Sequence, residues 1–293
     1  MLYYLYNKDS NSNLRAIKLN IKINVEHLKP DLRLIKYIKK ISIFKSSGKL
    51  NYRQKITPTP YSYLSFNLAD VGVTTVDDEN FDAIEKYHFD GPKISDNIYI
   101  DYDGVLNRIL IEFRASGFYY LFHSPPEEIT NKLLNLSALS NEFSNSHLVS
   151  INNTEEQVKV IEKFLIDKSV RAIPFNEQIE KAIQFFEENF GNISISDVCE
   201  KIHLSGRHFN RTFKKIVGVS PKQYSKLLQL HYIIKLMKGK NYSSFQDIAY
   251  GAKFYDHAHL NHNFKELTGF TPTEFINSDK HIALKYFTDI FDK

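Results

Sequence analysis

Residues Ile195–Tyr224, ISDVCEKIHLSGRHFNRTFKKIVGVSPKQY, and Phe245–Phe275, FQDIAYGAKFYDHAHLNHNFKELTGFTPTEF, are two copies of one pattern. Asp197 stands opposite Asp247 at an offset of 50, whereas Phe213 meets Phe264, Gly218 meets Gly269, Pro221 meets Pro272 and Tyr224 meets Phe275 at 51. The second copy has therefore gained one residue between its matched halves. Val198, Cys199 and Ile202, and in the second copy Ile248, Ala249 and Ala252, recur at i, i+1 and i+4, which predicts a short helix buried along one stripe. Ser196 and Ser244 are expected to cap these helices. After a short break, Ser205 and Asp256 are placed to accept hydrogen bonds from the free amides opening a second helix. That helix buries Phe209, Phe213 and Ile216 in one copy, and Leu260, Phe264 and Leu267 in the other. Gly218 and Gly269 stop it, because glycine takes the left-handed conformation without a Cβ penalty. Ser220-Pro221 and Thr271-Pro272 start the next helix, with the hydroxyl as cap and proline at the first position. The result is a helix-turn-helix written twice, at about 195–217 and 245–268, with a long helix from Pro221 to Lys238 between the copies.

The first copy's second helix turns Arg207, Asn210, Arg211 and Lys214 away from its apolar side, at i, i+3, i+4 and i+7. Two guanidiniums, an amide and an ammonium on one stripe suit base edges and phosphates when a helix lies in a major groove. From Lys201 to Lys240 there are ten Lys or Arg and no Asp or Glu, whereas a merely solvated face mixes both signs. Charge and motif thus point to double-stranded DNA as the partner.

This region resembles the DNA-binding domain of the AraC/XylS family of bacterial transcription regulators. The likeness rests on HFNRTFK (His208 to Lys214) with GVSPKQY (Gly218 to Tyr224), and on LNHNFK (Leu260 to Lys265) with GFTPTEF (Gly269 to Phe275). The extra residue in the second turn belongs to the same pattern. The resemblance implies that Ser205, Arg207, Asn210, Arg211 and Lys214 serve the first unit on DNA, and His257, Asn261, His262 and Lys265 the second. It also implies a front half that senses a signal or mediates dimerisation, often as a cupin-like barrel followed by helices, and a partner in RNA polymerase.

The second copy departs from the family pattern at His262, where Arg is usual. Between Asp247 and Phe275 there are two basic residues, Lys253 and Lys265, and four acidic ones, Asp247, Asp256, Glu266 and Glu274. The first unit is therefore expected to anchor on DNA and the second to add less phosphate affinity. The same bias leaves open an alternative, a ligand- or partner-binding sensor whose second unit contacts RNA polymerase or another protein. His257, His259 and His262 lack a Cys or carboxylate to complete a ligand set, so no metal site is assigned.

The chain has 293 residues, enough for about two domains, with 42% apolar residues and a net charge of +4. One cysteine excludes an intramolecular disulfide, and Cys199, on an apolar stripe, reads as packing. The opening MLYYLYNKDS lacks the basic start and apolar run of a signal peptide, and no run of ~18 apolar residues occurs, so a cytoplasmic protein with no membrane partner is expected.

The front half reads as short strands: Ile17 to Val25, Ile38 to Phe44, Tyr61 to Leu68, Asn97 to Tyr102 and Arg108 to Phe113. Turn signals separate them at Ser46-Ser47-Gly48, Thr57-Pro58-Thr59-Pro60, Asp90-Gly91-Pro92 and Asp103-Gly104. Leu28 to Lys40 fits a short helix, carrying Leu32 and Ile35, as well as a strand entry. Ser124 to Glu128 opens a segment with Ile129, Leu133, Leu136 and Leu139 on helical spacing. Thr154 to Gln157 reads as a capping box before Val158, Ile161 and Leu165, a helix that packs on its own barrel or forms a dimer seam. Asn176 caps a helix from Glu177 to Phe190. Tyr61, Tyr63 and Phe66, and Phe113, Phe118, Tyr119, Tyr120 and Phe122, either line an apolar effector pocket or pack the core. A weaker likeness, in Tyr61 to Asp70 and Arg108 to Thr130, is to an uncharacterised domain fused before such DNA-binding domains, and it implies no ligand.

No metal-ligand spacing, phosphate loop, nucleophile elbow or Cys/His pair appears, so neither catalysis nor a cofactor is expected. The fold class is α+β. It comprises a β-rich, cupin-like domain with following helices over 1–168, a linker over 169–176, and an all-α domain over 177–293. The function expected is that of a sequence-specific DNA-binding transcription regulator, an activator, with a small-molecule effector or homodimerisation acting through the front half.

Overall fold

The computed structural model describes residues 3–5, 17–19, 21–69, 71–77, 80–83, 85–94, 98–139, 148–238 and 257–277. Ser244, Asp256 and the first helix expected in the second copy lie outside them. The architecture is α+β: an antiparallel sheet, then helices.

Strands β1 (Tyr3–Leu5) and β2 (Ile17–Leu19) pair with each other. The main sheet holds β3 (Ile23–Leu28), β4 (Ile38–Lys55), β5 (Tyr63–Asn67), β6 (Val71–Asp77), β7 (Asn80–Ala83), β8 (Tyr87–Asp90), β9 (Tyr99–Phe113) and β10 (Leu133–Asn135), in the order β10-β8-β5-β9-β4-β3. Its spine is β9, paired with β4 along one side and with β5 and then β6 along the other.

Two expected turns are bends inside strands. Ser46-Ser47-Gly48 lies within β4, where the register against β9 shifts between Lys45 and Lys49, and Asp103-Gly104 lies within β9, paired with Asn51 and Leu50. Ser and Gly resemble a turn locally, but within a long strand they mark a bulge. The Ser46 hydroxyl donates to the Gly48 carbonyl and accepts from the Leu106 amide, so the irregularity leaves these backbone groups paired. The strand expected from Ile17 to Val25 is likewise divided between β2 and β3.

Residues 32–37 form hydrogen-bonded turns in which Tyr37 and Ile38 both donate to the Leu34 carbonyl. Leu34, Tyr37 and Ile38 face the core, whereas Leu32 and Ile35 are 82% and 44% exposed. The helix expected after Ser124 does not form. The chain instead makes a 3-10 turn at Pro126–Ile129, strand β10 and a second 3-10 turn at Leu136–Ala138. Ile129 and Leu136 are buried all the same, so the apolar spacing reported burial and not helicity. A short helix, α1 (Gly117–Phe122), follows β9.

Helix α2 (Thr154–Val170) is capped one residue earlier than expected, by Asn153, which accepts from the Glu155 and Glu156 amides. The Gln157 side chain donates to the Leu148 and Ile151 carbonyls instead of closing a box. Val158, Ile161 and Leu165 are buried in the chain's own core. The aromatic rings do the same: Phe89 and Phe113 meet Phe118 and Phe122 edge-on, a packing favoured by the ring quadrupoles.

Helices α3 (Glu177–Glu188), α4 (Ile195–Ile202), α5 (Gly206–Val217), α6 (Pro221–Lys238), α7 (His257–Thr268) and α8 (Pro272–Asn277) follow. Asn176 caps α3 as expected, accepting from the Ile179 amide, whereas α4 is capped by Ser194 and not Ser196. Among the described residues there are two apolar cores. One runs without a break from the sheet through α1 and α2 to Phe186, Phe209, Phe213, Tyr224 and Leu228. The other gathers Leu230, Ile233 and Ile234 of α6 around Phe264 and Phe275.

Candidate nucleic-acid interface

Helix α5 is built from local rules. Ser205 caps it through the His208 amide, and Gly218 ends it at φ 91° with its amide on the Lys214 carbonyl. Phe209, Phe213, Ile216 and Val217 are buried, with Phe213 edge-on to Phe209, Phe186 and Tyr224. This fixes the opposite side: Arg207, Asn210, Arg211 and Lys214 are all exposed. Among the described residues no ion pair involves Arg207 or Arg211, and both side chains are exposed. Lys214 differs, because its ammonium lies 3.4 Å from a carboxylate oxygen of Glu127.

Of the second unit the described residues begin with its second helix. His257 opens α7, Asn261, His262 and Lys265 are exposed, and Phe264 is buried edge-on to Phe275. At the start of α8, Thr271 accepts from the Glu274 amide while Glu274 accepts from both the Thr271 amide and hydroxyl, a reciprocal cap. Those two bonds hold the Glu274 carboxyl below the usual range. At the start of α6 the partners are Ser220 and Gln223. Lys226 of α6 pairs with Glu266 of α7 at 3.2 Å, linking the long helix to the second unit across its surface.

The local patterns missed how the β-rich part grips the first unit. Thr130 Oγ1 donates to the Gly218 carbonyl at 2.9 Å. A Cβ built on Gly218 would stand 2.8 Å from Pro126 Cβ and 3.0 Å from Pro92 Cγ. Behind α5, Tyr61 and Tyr224 both donate to Glu187 Oε1, at 3.2 and 2.9 Å. His231 of α6 bonds the Pro58 carbonyl at 2.6 Å, and its burial pushes the imidazole down to about 4. Lys39 is also depressed, chiefly by burial, and lies beside Glu112 at 3.7 Å. None of these pairings carries a short-range signal, since the partners lie far apart in sequence.

The sheet holds one more feature absent from the sequence reading. Tyr63, Ser65 and Asn67 of β5 share a register face with His88 and Asp90 of β8 and with Arg108 and Glu112 of β9. All seven are buried, and Arg108 lies 3.5 Å from Asp90 while donating to the Tyr102 hydroxyl.

Two helices about a tight turn, the second with an exposed basic face, joined by a long helix to a further helix of the same sequence pattern, define the class: a helix-turn-helix domain. Residues 198–278 match the family model described as a helix-turn-helix domain. The matched residues are those in which the doubled motif resembles the AraC type. The chain is 31% identical over 77 residues to the lactose operon transcription activator of Staphylococcus xylosus, covering 26% of this chain and 28% of that protein. It is 29% identical over 112 residues to the bifunctional transcriptional activator/DNA repair enzyme AdaA of Bacillus subtilis, covering 37% of this chain and 51% of that one. The match thus spans about half or less of these relatives' length. Among solved structures, ToxT from Vibrio cholerae aligns over 88% of this chain and 98% of its own at 15% identity, with a TM-score of 0.45. The AraC-like transcriptional activator CuxR aligns over 75% and 87% at 13% identity, with a TM-score of 0.26.

Proposed function

We propose that this chain is a sequence-specific DNA-binding transcription regulator that acts as an activator. The observation that carries the reading is the exposed stripe of Arg207, Asn210, Arg211 and Lys214 on a helix whose other side is locked into the core. Arg207, Asn210 and Arg211 read base edges, Lys214 holds a phosphate, and Ser205 caps the helix at its DNA-facing end. His257, Asn261, His262 and Lys265 serve the next groove. Helix α6 sets the two recognition helices about one DNA turn, ~34 Å, apart.

Residues 1–168 form the sensing or dimerising domain, 169–176 the linker and 177–293 the DNA-binding domain. The first domain answers to a small-molecule effector or to a second copy of the chain, and the DNA-bound protein engages RNA polymerase. The chain is a regulator and not an enzyme, and it works in the cytoplasm. Among the described residues no helix is long and apolar enough to cross a membrane.

The test is selection of genomic binding sites with the full chain and with the Arg207→Ala, Arg211→Ala double variant. The expected result is a motif of two clusters about ten base pairs apart, lost in the variant. A single cluster would reassign the second unit to a protein contact, and the absence of any motif would overturn the reading.

A further inference from the structure

Lys214, the candidate phosphate ligand of the first recognition helix, has an acidic partner among the described residues. Its ammonium is 3.4 Å from Glu127 Oε2, and Glu127 belongs to the 3-10 turn Pro126–Ile129 of the β-rich part, followed by a second exposed carboxylate, Glu128. The contact is set by the fold. Pro126 and Pro92 occupy the space a side chain at Gly218 would need, and Thr130 Oγ1 bonds the Gly218 carbonyl at 2.9 Å. These contacts seat the turn against the last turn of α5, while Arg207, Asn210 and Arg211 lie on the part of the helix it leaves exposed.

We infer that Glu127 is an intramolecular stand-in for a DNA phosphate, supplied by the β-rich part to Lys214, and that it sets the affinity of the first unit below what its helix alone would reach. The inference rests on Lys214 being a phosphate contact. A carboxylate and a phosphate oxygen compete for one ammonium, because both are anionic acceptors of the same N–H donors. With the turn docked, a phosphate approaching Lys214 meets Glu127 and Glu128 as like charges and releases one counterion fewer. Base reading by the two arginines is untouched, so the device lowers affinity without changing the sequence preferred. Any signal that lifts the turn from Gly218 frees Lys214 and strengthens binding.

The experiment is fluorescence anisotropy with the full chain and its selected DNA site across a salt series, for the wild type, Glu127→Gln, Lys214→Ala and the double variant. Glu127→Gln is expected to bind about two- to fivefold tighter at low salt, the range of a half-exposed ion pair. Its plot of log affinity against log salt steepens by about one unit. Lys214→Ala added to Glu127→Gln removes that gain and returns the slope to the wild-type value, whereas in the wild-type background, where Glu127 already holds the ammonium, it leaves the slope nearly unchanged. Equal or weaker binding by Glu127→Gln overturns the inference. A gain in affinity and slope that survives when Lys214→Ala is added to Glu127→Gln also overturns it. Loss of site selection in the Arg207→Ala, Arg211→Ala variant is independent of that outcome and separates it from failure of the functional reading.

Discussion

Tyr61 and Tyr224 donate to the same oxygen, Glu187 Oε1, one from the chain entering β5 and the other from α6. Both rings are buried, and burial raises both phenols well above their ordinary value, so each stays a neutral donor. One carboxylate on α3 thereby ties the sheet to the long helix that carries both recognition helices. Tyr61→Phe and Tyr224→Phe should each cost about 1 to 2 kcal/mol in urea unfolding. The double variant should cost more than the sum, because it strips Glu187 of both donors. Additive losses would show that the oxygen finds other partners.

His231 supplies a pH dependence. Its folded value of about 4 lies below the ordinary 6.5, chiefly because it is buried, so between those values the unfolded chain binds the extra proton. Stability from this group is complete above about pH 6.5 and is lost as pH falls toward 4. The wild type should lose on the order of 2 kcal/mol more than His231→Gln between pH 7 and 4.5, read by urea midpoints. His88, also depressed by burial, acts in the same direction in both proteins and cancels in the comparison.

Two glycines flanking α5 should behave oppositely. Gly218 has φ 91° and no room for a Cβ against Pro126, so Gly218→Ala should destabilise by about 2 to 4 kcal/mol. Gly206, at the first helical position, has nothing within 4 Å of its Cβ site. Gly206→Ala should stabilise by about 0.5 to 1 kcal/mol. Thermal melts of the two variants check the pair, and a neutral Gly218→Ala would mean that the docked turn yields.

Arg211→Ala should weaken binding to the selected site by about 1 to 3 kcal/mol and relax the preference at one base position, if the guanidinium pairs with a base edge. A loss that is uniform across sequences would instead make Arg211 a phosphate contact.

The amino-acid order alone determined the first helix-turn-helix and the second helix of the other copy. Their caps at Ser205 and Ser220, their stops at Gly218 and Gly269 and the buried Phe209 and Phe213 are set by neighbours within about four residues, the reach of helical hydrogen bonds. The same short reach identified the exposed face of α5 as soon as its apolar face was known. It failed where pairing is remote. Ser46-Ser47-Gly48 and Asp103-Gly104 looked like turns until β4 and β9 were paired, and Leu133 looked helical until β10 met β8. Tertiary structure also decided that the first unit shares its core with the sheet while the second packs apart on α6, and that Glu127 reaches Lys214. Such contacts join segments far apart along the chain, and only the packed fold brings their side chains within bonding distance.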